Sequence, residues 1–170
     1  MGSRTLLFGT PAGLFEAKGN GGAYEARPLG LSGKGPVRAI LVDKDDPKII
    51  YAGTASRGLY RSDDAGKTWN EKNEGLVYKQ IWSLAQHPKT GELWAGTEPA
   101  NIFRSGDRGD TWSHCEQLQT LQETQFWTFP RPPHIAHTRT SRCAPTTPPG
   151  STARSKKDGS SARPMAARPG

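Results

Sequence analysis

Cysteine is almost missing from this chain. Cys115 and Cys143 are its only two, which excludes a disulfide framework. Long apolar runs are missing as well. No stretch approaches the ~20 residues that a membrane-spanning helix needs. The opening MGSRTLLFGTPAG carries only the short apolar run Leu6-Leu7-Phe8, too little for a signal-peptide core. The expectation is a soluble chain in a reducing compartment, the cytoplasm, with no membrane partner.

Apolar residues are scarce overall, at 33%, low for a globular chain of this length. The scarcity is uneven. Residues 138 to 170 hold no Leu, Ile, Val, Phe, Tyr or Trp and one acid, Asp158, against seven Lys and Arg. Residues 1 to 137 hold 16 Lys and Arg against 15 Asp and Glu, so +6 of the net charge of +7 belongs to the end of the chain. Such a charge distribution does not describe a nucleic-acid groove in the folded part. A stretch with so little apolar surface cannot offset an ordering cost of roughly 1–2 kcal/mol per residue. The division is therefore a folded domain over 1–137 and a disordered basic tail over 138–170. The Arg/Pro/Ala/Ser/Gly mixture of that tail reads as out-of-frame translation of a GC-rich coding sequence. The competing reading is a basic arm for an acidic partner or nucleic acid, although the tail has no aromatic for base stacking.

What the chain does have is a repeat. IIYAGTASRGLYRSDDAGKTW at 49 to 69 aligns with ELWAGTEPANIFRSGDRGDTW at 92 to 112 at a constant offset of 43. A worn copy, TLLFGTPAGLFEAKGNGGAY at 5 to 24, keeps Gly9-Thr10, Leu14-Phe15 and Tyr24 but has Ala17 and Gly19 where the others have Ser and Asp. Each unit contains four short β-type runs punctuated by turn residues. In the first full unit these are A (37–42), B (49–54), C (58–62) and D (67–71); in the second they lie near 80–86, 92–97, 101–105 and 110–114. Runs B and C are nearly continuous in apolar residues, as in sheets covered on both faces. The expected fold is all-β, a partial β-propeller of four-stranded antiparallel blades: about two full blades plus most of a third, the first lacking its strand A. A closed propeller needs 4–8 blades, so the chain reads as an incomplete copy of a longer protein.

The octets SDDAGKTW (62 to 69) and SGDRGDTW (105 to 112) follow the pattern Ser-x-Asp-x-Gly-x-x-Trp. This pattern resembles the BNR or Asp-box repeat of sialidase-like, sortilin-like and YVTN-type propellers. The resemblance covers about residues 4 to 137. It implies a propeller and leaves activity open, since the family includes hydrolases, receptors and assembly factors.

Each octet residue has a conformational task. Asp64 and Asp107 suit Asx-type acceptance of turn N–H groups, and Gly66 and Gly109 supply positive φ. Ser62 and Ser105 suit hydrogen bonds within the loop. Trp69 and Trp112 suit the start of strand D, lying back over the hairpin. The alternative makes Asp64 and Asp107 the acids of a glycosidase. That needs carboxyl groups ~5–9.5 Å apart, whereas equivalent turns of successive blades fan apart. Sialidases also carry an Arg-Ile-Pro-type motif that this chain lacks. No catalytic residue is expected, and enzymatic activity, if any, would be glycoside hydrolysis.

A ligand would meet the B–C and D–A connections. Arg57, Glu98, Trp127, Arg131 and His134 lie there and form the candidate ligand loops, suited to a protein or carbohydrate. The rings around Trp127 equally suit plugging a blade interface. His134 and His137 have an i, i+3 spacing, but no acid or Cys with fitting spacing joins them, so neither a metal site nor a cofactor is expected. The expected function is a non-catalytic binding or scaffold module.

Overall fold

The structure, a computed structural model, describes residues 4–19, 22–118 and 138. Among them the chain is all-β apart from one 3-10 turn, Glu116–Leu118. The first sheet has three antiparallel strands in the order β1 (Arg4–Thr10), β2 (Gly13–Gly19), β3 (Tyr24–Gly30). The second runs β4 (Val37–Val42), β5 (Ile50–Thr54), β6 (Leu59–Ser62), β7 (Asn70–Glu71). The third runs β8 (Gln80–Gln86), β9 (Leu93–Glu98), β10 (Ile102–Ser105), β11 (Ser113–His114). This is an arc of a β-propeller: two four-stranded blades preceded by one that has three strands among the described residues.

The outer strands begin later than the sequence suggests. Trp69 and Trp112 do not start the outer strands; those begin at Asn70 and Ser113. The indoles are held by the turn, and the two-residue outer strands follow. Most of the tail expected over 138–170, and residues 119–137 with Trp127, Arg131 and His134, lie outside the described residues.

The sheets stack face to face, and two apolar clusters fill the joints. Leu14, Leu29, Leu31, Val37, Ile50, Ala52 and Tyr60 join sheets one and two. Sheets two and three meet through Tyr51, Leu59, Leu76, Ile81, Leu93, Ala95, Phe103 and Trp112, with Ala39 and Ile49. Strand β5 is buried at every position because it contributes alternate residues to both clusters. That explains its unbroken apolar run.

At each joint the inner strand of one sheet crosses a glycine of the sheet before it. A Cβ on Gly53 would lie 2.5 Å from Ile81 Cγ2, and one on Gly9 would strike the Val37 carbonyl. Thr138 takes the same place against Gly96, where a Cβ would lie 2.7 Å from Thr138 Cβ. The Thr138 N–H donates to Thr97 O at 3.1 Å. The recurrent Ala-Gly-Thr is thus a seat for the following sheet.

Both inner strands carry a one-residue irregularity near their start. The register shifts between Val37 and Ala39 and again between Ile81 and Ser83, so Arg38 and Trp82 are bulge residues that leave the ladder.

Tyr51 is fully buried in the second joint, and its hydroxyl has no hydrogen-bond partner among the described residues. Burial, with the nearby Asp43 carboxylate, pushes its pKa up to about 12. An unmade buried hydrogen bond carries a desolvation cost of about 1–3 kcal/mol. Tyr51→Phe is expected to leave stability unchanged or raise it by up to about 1 kcal/mol. Urea unfolding midpoints check this, and a clear loss of stability would contradict it.

Candidate functional site

The octets are the corners between β6 and β7 and between β10 and β11. Ser62 Oγ accepts the Gly66 N–H (2.7 Å) and donates to Asp64 Oδ1 (2.8 Å). Asp64 also accepts the Thr68 N–H at Oδ1 (2.8 Å) and the Thr68 hydroxyl at Oδ2 (2.7 Å). The second octet repeats this: Gly109 N–H to Ser105 Oγ (2.8 Å), Ser105 hydroxyl to Asp107 Oδ1 (2.7 Å), and Thr111 hydroxyl to Asp107 Oδ2 (2.6 Å). Gly66 and Gly109 have φ of 87° and 83°, the left-handed region that favours glycine. Thr68 and Thr111 complete the network. Their signal in the sequence is a Thr before each octet Trp.

Both carboxylates are acidified by these bonds. The Thr68 N–H and hydroxyl, then Ser62, bring Asp64 to about 2. The Thr111 hydroxyl and N–H, then Ser105, bring Asp107 to about 2. A carboxyl held ionised and bonded through both oxygens is poorly suited to act as a general acid near neutral pH.

The indoles reach beyond their own turns. Trp69 Nε1 donates to Gly66 O (3.1 Å) and, across the joint, to Leu29 O in β3 (2.8 Å). Trp112 Nε1 donates to Gly109 O (3.1 Å) and to Lys72 O of the second sheet (3.1 Å). Bare backbone makes room for them: a Cβ on Gly30 would lie 2.8 Å from Trp69 Nε1. At the second joint Asp110 adds an ion pair to Arg61 (3.0 Å) and another to Lys72 (2.5 Å).

The opposite rim carries the candidate ligand residues. Glu98 ends β9 and accepts the Trp82 Nε1–H at 2.6 Å. The Arg38 guanidinium stands over the Trp82 ring, 4.0 Å from its centroid, with Nη1 3.9 Å from Glu98 Oε2. The two bulges therefore bring a cation, an indole and a carboxylate together on rigid strands. Sequence reasoning named Glu98 and missed Arg38 and Trp82. Arg57 lies exposed on the neighbouring loop. Its N–H is bonded to Thr54 Oγ1 (2.9 Å), and its carbonyl accepts from Asn73 Nδ2 (3.0 Å). His114 stacks on Phe103 and contacts Asn101 Oδ1 at 2.7 Å. Among the described residues no group of His, Cys, Asp or Glu is arranged to hold a metal. None of their helices is long and apolar enough to cross a membrane.

The fold and its joints define a partial propeller. No protein-family model matches this chain, and no curated protein does either. Among solved structures it is similar to the GH74 xyloglucanase from Xanthomonas campestris, at 18% identity and a TM-score of 0.47, over 66% of this chain and 21% of that one. It is also similar to an ancestral GH74 enzyme, at 15% identity and a TM-score of 0.48, over 64% of this chain and 16% of that one. The match spans about a fifth of those chains or less.

Trp112→Phe keeps the ring packing and leaves the Lys72 and Gly109 carbonyls without their donor. Destabilisation of about 1–3 kcal/mol is expected in denaturant unfolding. Acid should act through the octets. Asp64 and Asp107 titrate lower in the folded chain than their ordinary value of 3.8. Their contribution is present above about pH 4 and is lost as pH falls toward about 2. Melting temperature is expected to drop across that window, and Asp64→Asn with Asp107→Asn should flatten the drop.

Proposed function

We propose that this chain is a non-catalytic binding or scaffold module of the BNR/Asp-box propeller type. The reading rests on one contrast. The octet carboxylates are bonded through both oxygens within their own turns, while Glu98, Arg38 and Trp82 are brought together on the other rim from two neighbouring sheets. A ligand of that rim meets a guanidinium fork, an aromatic ring and a carboxylate acceptor. That combination suits a protein segment or a carbohydrate, through hydrogen bonding and aromatic contact. Arg57 extends the same rim, and Trp127, Arg131 and His134 are assigned to it from sequence.

The test is a titration with neutral oligosaccharides, acidic oligosaccharides and an acidic peptide, followed by amide chemical shifts. Saturable changes at Arg38, Arg57, Trp82 and Glu98 are expected. Arg38→Ala should weaken binding about tenfold, or about 1.4 kcal/mol. Release of new reducing ends that Asp64→Asn abolishes would instead establish a glycoside hydrolase.

A further inference from the structure

Sheets two and three each bury one face against the sheet before them. The positions are Ile50, Ala52 and Tyr60 in sheet two, and Leu93, Ala95 and Phe103 in sheet three. The equivalents in sheet one are Leu6, Phe8 and Phe15. Cross-strand pairing places them in rows on a single face, with Leu6 beside Ala17 and Ala26, and Phe8 beside Phe15 and Pro28. Phe8 and Phe15 stack at 5.8 Å. Tyr24, opposite Gly19, lies on the same face. This face carries no charge except Arg4 at its end, yet Leu6 is 53% exposed, Phe8 38% and Tyr24 44%. Among the described residues no strand pairs with the free edge of β1.

At the other end of the arc, sheet three presents what that face lacks. Gly96 is the equivalent of Gly9 and Gly53, the seats that receive a following inner strand. Its seat is taken by Thr138, where Val37 and Ile81 stand at the other two. Cys115 is the equivalent of Lys72: the Cys115 N–H donates to Ile102 O, as the Lys72 N–H donates to Leu59 O, both at 2.9 Å. Its carbonyl therefore stands where Lys72 O receives the Trp112 indole. Trp94, on the same face as Gly96, is half-buried.

The geometry points to a second copy of this chain as the occupant: the apolar face of sheet one seats on the far face of sheet three of its partner. Two features repeat the joints already made within the chain. Apolar face meets sheet face. The partner's Thr138 stands opposite Thr10, as Val37 stands opposite Thr54 and Ile81 opposite Thr97, and so fills the inner-strand position beside β1. Such a contact is head-to-tail. Two copies of the three described sheets would place six sheets in a ring, within the range in which propellers close.

Sedimentation equilibrium and native mass spectrometry of the full chain test this, with circular dichroism confirming that each variant is folded. Wild type is expected at twice the 18.5 kDa chain mass. Phe8→Asp, on the first face, and Trp94→Asp, on the last, should each give monomers. Mixing the two restores one intact contact, Phe8→Asp supplying the sheet-three face and Trp94→Asp the sheet-one face, and should recover a dimer of the two variants. A wild type that stays monomeric at all concentrations overturns the proposal. So does a Phe8→Asp variant that remains dimeric. A Trp94→Asp variant that still dimerises alone, with no recovery on mixing, would show face-to-face pairing of sheet one and overturn the head-to-tail arrangement.

Discussion

Each joint in this arc depends on one N–H that serves two sheets. The indole of Trp69 closes its own corner at Gly66 O and caps Leu29 O of the preceding sheet; Trp112 does the same with Gly109 O and Lys72 O. A side chain can do this only if the neighbouring backbone comes within hydrogen-bond distance of the ring, and Gly30 gives that approach at the first joint. The outer strands β7 and β11 are two residues long. Ladder pairing alone is too brief to hold them, so the indole fixes where each sheet ends and how far it stands from the last. The recurrence of Trp at a fixed spacing is then a statement about sheet-to-sheet distance.

The aspartates follow from the same constraint. All seven among the described residues sit in the connections of one rim: Asp43, Asp45 and Asp46 between β4 and β5, and Asp63, Asp64, Asp107 and Asp110 in the octets. Asp43 shows why. Burial alone would raise its pKa, but the N–H groups of Asp45 and Asp46 and the Gln86 amide outweigh that and lower it. A short carboxylate bonds turn amides within reach of its own backbone, which a glutamate does less well. The other rim, whose connections close without aspartate, keeps its cations in view: Lys34, Arg38, Arg57 and Lys79. The polarity of the molecule is a consequence of which turns need an acid.

Period and composition made the sheets legible, because an unbroken apolar run bounded by Gly, Pro and Asp has few other solutions. Val37–Val42 and Gln80–Gln86 coincide with the expected runs, and Gly66 and Gly109 adopt the left-handed conformation that their place in the octet asks for. Two things were hidden. A hairpin reading of Trp69 and Trp112 is local, and nothing local records that Leu29 and Lys72 lie across the joint. The bulges at Arg38 and Trp82 are likewise silent in the sequence. A one-residue slip of register leaves the apolar pattern on either side almost intact, so the meeting of Arg38 and Trp82 with Glu98 emerges only when two inner strands stand side by side.

The worn first copy tests this account of the octets. Ala17 and Gly19 replace the Ser and Asp that tie each later corner, so the polar network cannot form there. Its outer strand differs in the compensating way. β3 runs seven residues, Tyr24–Gly30, paired along nearly its whole length with β2, whereas β7 and β11 run two. A long ladder orients the strand without help from its turn; a short one needs the corner held rigidly before the indole can find the carbonyl across the joint. A carboxylate that braces a corner is dispensable beside such a strand, because β3 is already tied to β2 along nearly all of its length.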